Sequence, residues 1–525
     1  MGKSTAAEGA AKALKKDQSH KHAAAKPQEK TTNPEFMDNK GAVEDLNLAG
    51  PCNVWSNLIY NGSIWKSFKR LRKLELNSNE LTTLPSSLEA ISSSLEILFL
   101  SENKFSAIPE VVGKLNNLRM ISLRGNCLTE LSSTNLPSSL VWLILTNNNI
   151  TRIDPNVNKL KGLKKLMLSH NKLTEVPSEL GDCKDLELVR LASNAINTSL
   201  PHKFLTLPKL AWISLGGNPI SEIPSHKMKF IERSSISFDK SNVLGKGASG
   251  TVYKGVFEGE DVAVKVFKQG SKGSDGKPED EAVINSIIDH HFTVSSRGVF
   301  RSSDDDDVIE GMVMELLENA VSLLYLLRFR FVLCNTYALK TATSRTLVQT
   351  AIGKPPSFST CTRDAGPEED VKSLDKGRIL SIITNMVNAL AYIHSVKVMN
   401  GDVYLHNTLR CVKNGEAMTR LSDWGASFVY NNNMVASFSD NSSRVFEKIE
   451  VLAFGRLIQD LFMWYCGVAC PDSTETYNYP EKTSIDVGPF KDLMASILQP
   501  DQSKRPTFEE IKEKLTVIPE FQNHM

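Results

Sequence analysis

Cysteine is sparse in this sequence, with eight among 525 residues and no paired framework. The nearest two, Cys466 and Cys470, form a CxxxC with no further ligands beside it to complete a zinc site. Free thiols in a reducing compartment are expected, not a disulfide scaffold. Net charge is almost absent as well: 61 Lys and Arg against 60 Asp and Glu leave +1. That balance offers no general attraction to nucleic acid or to an anionic membrane. Long apolar runs are missing. The longest, Val321 to Leu333, carries Arg328 and Arg330 and falls short of the roughly 20 residues a membrane span needs. The N-terminus is polar and rich in Ala and Lys, unlike a secretory leader. Together these absences predict a cytoplasmic protein without a membrane span and without a nucleic-acid partner.

At roughly 100–200 residues per domain the length allows two or three domains. Residues 1–46 nearly lack aromatics and are rich in Ala, Lys, Gln and Glu, so they read as a disordered tail. From Leu71 the chain repeats the unit LxxLxLxxNxL, first as Leu71, Leu74, Leu76, Asn79 and Leu81. Seven copies follow one another, with asparagines at Asn79, Asn103, Asn126, Asn148, Asn171, Asn194 and Asn218, 22 to 24 residues apart. No single copy can bury its leucines alone, so neighbours must stack into one continuous core. The asparagines are expected to satisfy buried backbone groups of adjacent coils. Residues 47–226 thus form an α/β leucine-rich-repeat solenoid, with Trp55 and Trp65 in a segment that caps its first end. Glu75, Phe99, Ser122, Ile144, Met167, Arg190 and Ser214 should line its concave face. That face reads either as a site for a protein ligand or as an ordinary solvated sheet.

After Pro224 the motifs change. Gly245, Gly247 and Gly250 form GxGxxG and are followed by Val252; Lys265 ends the string Val262-Ala263-Val264-Lys265, 13 residues after Val252. Glycines at that spacing let backbone N–H groups approach phosphates, and a lysine on the next strand supplies charge. Glu281, 16 residues beyond Lys265, lies in a helical segment and is preferred over Glu279 as the partner of that lysine. Asp402 and Asn407 stand five apart, and Asp423-Trp424-Gly425 begins 16 residues past Asn407. Glu450-Val-Leu-Ala-Phe-Gly455 and Lys504-Arg505-Pro506-Thr507-Phe508 come later.

In order and spacing these motifs resemble the protein kinases, and the whole chain resembles leucine-rich-repeat kinases of an atypical, non-RD kind. The resemblance implies a bilobal α+β kinase-like domain over residues 238–517 that uses ATP and Mg²⁺. It makes Lys265 the phosphate lysine, Glu281 its carboxylate and Asp402 the acceptor of the substrate proton. It makes Asn407 and Asp423 metal ligands. Leu244, Gly245, Gly247, Gly250, Val252 and Ala263 would frame the nucleotide, with Met314 as gatekeeper and Glu315 to Leu317 as the adenine hinge. Arg505 would pair with Glu447. The implied activity is phosphoryl transfer from ATP to Ser or Thr of a protein substrate, with the repeats recognising a protein partner. An ATP-binding pseudokinase scaffold is the alternative.

Several positions depart from the family pattern. Asn400 and Gly401 replace the histidine and arginine that usually precede the catalytic Asp, and Tyr404 replaces the lysine expected two residues after it. His406 is the nearest basic group to take over that charge. Trp424 stands for a phenylalanine, the activation segment is short, and no APE triplet follows. Residues about 320–352 insert an unusual segment after the hinge, either a functional loop or a retained coding segment.

Overall fold

Seven LxL units at so regular a spacing need a parallel stack, and the computed structural model contains one. It describes residues 40–50, 59–60, 62–221, 229–246, 249–268, 270, 275–302, 308–317, 353–354, 357–358, 360–364, 366–367, 375–413, 416–436, 444–465 and 488–524. Trp55, Gly247, the segment 320–352 and the Cys466/Cys470 pair lie outside the described residues. Eight strands of three residues run side by side: β1 (Asp45–Asn47), β2 (Lys73–Glu75), β3 (Ile97–Phe99), β4 (Met120–Ser122), β5 (Trp142–Ile144), β6 (Lys165–Met167), β7 (Leu188–Arg190) and β8 (Trp212–Ser214). Their central residues pair in one register, from Leu46 through Leu74, Leu98, Ile121, Leu143, Leu166 and Val189 to Ile213. Strand alternation turns those residues inward, and they are buried in one apolar cluster.

The asparagines make the bonds that their burial requires. Asn103 Oδ1 accepts from the Asn79 and Leu81 N–H groups, and its Nδ2 donates to the Leu76 and Leu100 carbonyls. Asn148 repeats the arrangement with Leu128 N–H and the Leu123 and Leu145 carbonyls. One strand escapes the sequence count. β1 begins at Asp45, inside the stretch read as tail, because Leu46 and Leu48 bury against the first repeat although no asparagine unit marks them.

A five-stranded antiparallel sheet follows, built from β9 (Ile236–Lys246), β10 (Gly250–Phe257), β11 (Glu260–Phe267), β12 (Ser296–Arg301) and β13 (Ile309–Glu315) in the order β9-β10-β11-β13-β12. Helix α1 (Pro278–Ile287) packs on it. Beyond lie α2 (Lys376–Ser395), the hairpin β14–β15 (Thr408–Lys413, Glu416–Leu421), α3 (Val445–Tyr465), α4 (Gly488–Ile497) and α5 (Phe508–Thr516). Thr507 caps α5 with a capping box closed by Glu510, which satisfies two end groups at once. Among the described residues no helix is long and apolar enough to cross a membrane.

The repeats and the helical lobe share their cores. Met399, Phe428, Tyr430, Met434, Val435, Phe446 and Ile449 join the leucine cluster of the solenoid. In return Leu188, Ala211 and Trp212 bury among residues of α2 and α3. Leu200–Pro201 pairs in parallel with Val435–Ala436. Trp212 alone, 1 % exposed, contributes roughly 5 kcal/mol by area, an upper figure. Arg505 also serves this seam. It does not meet Glu447 as expected: its Nη2 donates to the Pro208 carbonyl (2.8 Å) and its Nη1 to the Lys448 carbonyl (3.0 Å). Glu447 instead accepts the Phe508 N–H at 2.8 Å, because that donor lies at the start of α5.

The concave face is therefore only partly free. Arg190 and Ser214 are buried, whereas Phe99, Ile144 and Met167 keep partial exposure. Lys165, on the same face, is buried with its ammonium 4.0 Å from the centre of the Trp142 ring. Burial pushes its pKa down to about 8. Between that value and the unfolded one near 10.5, the unfolded chain holds a proton the folded chain does not, so stability rises with pH there. Below pH 8 the full penalty applies, roughly 3 kcal/mol. Losing the ring contact takes back ~1 kcal/mol. Lys165→Met should thus stabilise by about 2 kcal/mol at pH 7. Melting curves at pH 7 and 9.5 check this: the gain should shrink by more than half at the higher pH, and a gain independent of pH would refute the cause.

Candidate functional site

Each side chain of the expected site is placed by a particular element. Lys265 sits in β11 between Val252 of β10 and Met312 of β13, which fixes its direction across the sheet. Helix α1 starts with Pro278, whose missing N–H costs nothing in a first turn, and carries Glu281 toward that strand. The Lys265 ammonium meets the Glu281 carboxylate, so of the two glutamates weighed Glu281 is the one in contact. Burial raises the pKa of Glu281 and Lys265 opposes the rise.

A cavity of about 390 Å³ opens beneath this pair. Gly245, Gly250, Val252, Lys265, Glu281, Met314, Asn407 and Asp423 all line it. A Cβ on Gly250 would collide with the Val266 carbonyl, so only glycine lets β10 close on β11 there. Leu244, Ala263 and Leu317 are not on its wall. They bury with Met314 in an apolar cluster behind it. The Glu315 carboxylate pairs with Arg420, and its N–H donates to the Ser295 carbonyl (3.3 Å).

The loop that carries Asp402 is hung from Glu450. Its carboxylate accepts the Asn400 N–H (3.2 Å), the Gly401 N–H (2.6 Å) and His394 Nε2 (2.8 Å). Asn400 ties this loop to the next motif, donating from Nδ2 to the Asp423 carbonyl at 3.0 Å. Asp423 adopts φ +60° and accepts the Gly425 N–H at 3.1 Å. Asn407 Nδ2 donates to Asp402 Oδ2 at 2.7 Å, which turns its Oδ1 away from that carboxylate. Among the described residues no group of three His, Cys, Asp or Glu gathers as a metal site. A cation here would have only Asp423 and Asn407 from the protein and would need phosphate oxygens to complete its shell.

The other oxygen of Asp402 meets the solenoid. Arg190, in β7, contacts Asp402 Oδ1, donates from Nη1 to the Gly401 carbonyl (2.8 Å) and pairs with Asp275 (3.0 Å). Burial works against the Arg190 charge, but Asp402 and Asp275 outweigh it and raise its pKa above the ordinary value. Trp212, in β8, donates to the Val403 carbonyl at 3.1 Å and stacks on Tyr404 with ring centres 4.6 Å apart. Tyr404 therefore faces the repeats and not the cavity, where the lysine it replaces would have pointed. His406 does line the cavity, its Nδ1 2.6 Å from Asp364. Burial disfavours its charge, yet Asp364 outweighs burial and raises its pKa. Arg190, Trp212, Asp275 and Asp364 were not singled out as site residues by spacing. The available signal was an arginine and a tryptophan in neighbouring concave strands beside a catalytic loop that had lost its own arginine.

Two families match the chain: protein kinase domain over residues 238–470 and leucine rich repeat over residues 69–128 and 138–196. A Dictyostelium discoideum protein described as a probable serine/threonine-protein kinase, pats1, is 48% identical over 65 residues, 12% of this chain and 2% of its own length. An Arabidopsis thaliana cysteine-rich receptor-like protein kinase 2 is 26% identical over 260 residues, 46% of this chain and 31% of its own length. An L-type lectin-domain containing receptor kinase from the same plant is 41% identical over 70 residues, 13% of this chain and 10% of its own. The chain thus spans less than a third of each of these relatives. The chain joins a leucine-rich-repeat array to a protein kinase domain.

Proposed function

We propose that the kinase domain transfers the γ-phosphoryl group of ATP to a Ser or Thr hydroxyl of a protein substrate, in intracellular signalling, and that the repeats recognise a protein. The observation that carries this reading is the Lys265–Glu281 pair facing Asp423 and Asn407 across one cavity. Lys265 would hold the α- and β-phosphates, with Glu281 fixing its position. Gly245 and Gly250 bring backbone to the phosphates. Mg²⁺ held by Asp423 and Asn407 would neutralise charge on the phosphate oxygens. The substrate hydroxyl oxygen bonds to the γ-phosphorus, its proton passes to the Asp402 carboxylate, and the bond from phosphorus to the ADP oxygen breaks. His406, at the cavity wall where Tyr404 is turned away, is the basic side chain placed to take over the absent lysine's role.

A second reading, an ATP-binding scaffold that works by protein contacts, is favoured by one observation: Asp402 already has Arg190 on it. Calorimetry with Mg²⁺-ATP and labelled transfer to Ser/Thr peptides test the pair. Binding together with transfer that Lys265→Met and Asp402→Asn both lose supports the enzyme. Binding with equal label in all three proteins, and no transfer after Arg190→Ala uncovers Asp402, leaves the scaffold, and no nucleotide binding removes both readings.

A further inference from the structure

A substrate hydroxyl can react only where it can reach Asp402. In this chain the repeats reach that carboxylate: Arg190 lies against it, although the Asp402 side chain keeps 14 % exposure. Arg190 occupies the outward position of the LxL unit in β7, the position that keeps partial exposure at Glu75, Phe99, Ile144 and Met167 and is buried at Ser122 and Ser214. Here it is 3 % exposed. Its planar fork is used on three sides, by the Asp402 carboxylate, the Gly401 carbonyl and Asp275. Asn407 takes the second oxygen of Asp402, so both oxygens of the proton acceptor are engaged. Beside it, the stacking of Trp212 on Tyr404 seals the next part of the loop. The seal is close at the backbone as well. A Cβ on Gly401 would stand 2.5 Å from the Ile213 carbonyl oxygen, and one on Gly216 would stand 2.8 Å from that of Ser427.

The nucleotide side is different. Among the described residues, none from the repeats lines the cavity around Lys265 and Asp423. The repeats thus meet the proton acceptor directly, and the nucleotide cavity only through Asp275, which pairs with Arg190 at its wall.

We infer that the repeat array autoinhibits the kinase domain, with Arg190 as an internal plug that covers Asp402, excludes the substrate hydroxyl and leaves nucleotide access intact. The inference rests on reading the domain as a phosphoryl-transfer enzyme. It explains two departures in the catalytic loop together. Gly401 is small because β8 passes against it, and Tyr404 is aromatic because Trp212 covers it. A guanidinium keeps its proton throughout the physiological range, so pH does not release this plug. Release requires β7 and β8 to lift, and the apolar cover of Leu188, Ala211 and Trp212 sets the resistance to that movement.

The test uses the full chain as wild type, Arg190→Ala, Arg190→Gln and Arg190→Ala/Asp402→Asn. Arg190→Gln retains the stem and an amide donor, which guards against a misfolded alanine variant, and melting curves identify folded proteins. Mg²⁺-ATP affinity is measured by calorimetry, and initial transfer rates are taken on a degenerate Ser/Thr peptide mixture. The expected result is a rate at least about tenfold above wild type in the single variants, nucleotide affinity within about twofold, and loss of the gain in the double variant. Equal and measurable rates in wild type and single variants overturn the plug and leave the kinase reading standing. Nucleotide binding with no transfer in any variant overturns both, because an uncovered Asp402 would then be inert.

Discussion

Lys265→Met should reduce phosphoryl transfer by roughly three orders of magnitude and destabilise the smaller lobe in a way that grows with pH. The rate effect follows from removing the cation at the phosphates, and it is best read in the Arg190→Ala background, where the baseline is high. The stability effect follows from Glu281. This carboxylate is 3 % exposed and its Oε1 faces Lys265. Deleting one member of such a pair costs up to about 3–5 kcal/mol, because the other charge stays buried. Glu281 has an escape: burial already raises its pKa, and without Lys265 the rise is larger, so it can take up a proton. For an acid whose folded pKa lies above its unfolded one, the folded state binds the extra proton between the two values. Stability of the variant therefore falls as pH rises through that window, and the full deficit appears above the folded pKa. Melting curves from pH 5.5 to 8.5 should show the gap to wild type widening. Lys265→Met/Glu281→Gln, which has no charge to strand, should close much of that gap at pH 8 without recovering transfer. A double variant as unstable as the single one would show that packing, not charge, is lost.

Much of this architecture was legible in the sequence, and the limits have a physical pattern. The solenoid was legible because each repeat contacts only its neighbours, so period and asparagine spacing report local geometry directly. β1 was missed for the same reason: Leu46 and Leu48 fill the end of the stack without the asparagine that marks a repeat. Lys265, Glu281, Asn407 and Asp423 gather at one cavity, as fixed spacings on a strand, a helix and two loops imply. Asp402 lies in the same loop but is turned to a different neighbour. That neighbour, Arg190, is separated from it by 212 positions, and no periodicity connects the two. Arg505 miscarried in the same way. It was assigned a role by its place in a motif, whereas a guanidinium goes to whatever buried partner satisfies it, here the Pro208 carbonyl. Gly401 and Tyr404 looked like losses from a catalytic loop when judged by motif alone. In three dimensions they are the residues that the repeats touch.

Restoring the arginine that the family pattern has at position 401 should therefore break the molecule, not improve it. Gly401 has φ +72°, a conformation that costs a residue with a side chain on the order of 1–2 kcal/mol. A Cβ there would also stand 2.5 Å from the Ile213 carbonyl oxygen and 3.0 Å from that of Ala426, and neither backbone atom can swing aside. The Gly401 N–H is held by Glu450, so the loop cannot retreat without leaving that buried carboxylate short of a donor. An arginine side chain adds a second cation beside Arg190, whose own fork already fills the space. The easier response is for β7 and β8 to lift, which exposes Trp212 and separates Arg190 from Asp402. Gly401→Arg should lose on the order of 5 kcal/mol of stability, in the range reserved for backbone strain and broken buried networks. Hydrogen exchange should rise over β7 and β8 while β2 to β5 stay protected, since solenoid repeats open locally. Gly401→Ala separates the causes. The collision begins at Cβ, so alanine should already carry most of the loss. Wild-type melting in the alanine variant, with destabilisation only in the arginine variant, would mean that charge and bulk select glycine here, and that the repeats do not press on this loop as closely as the Ile213 contact requires.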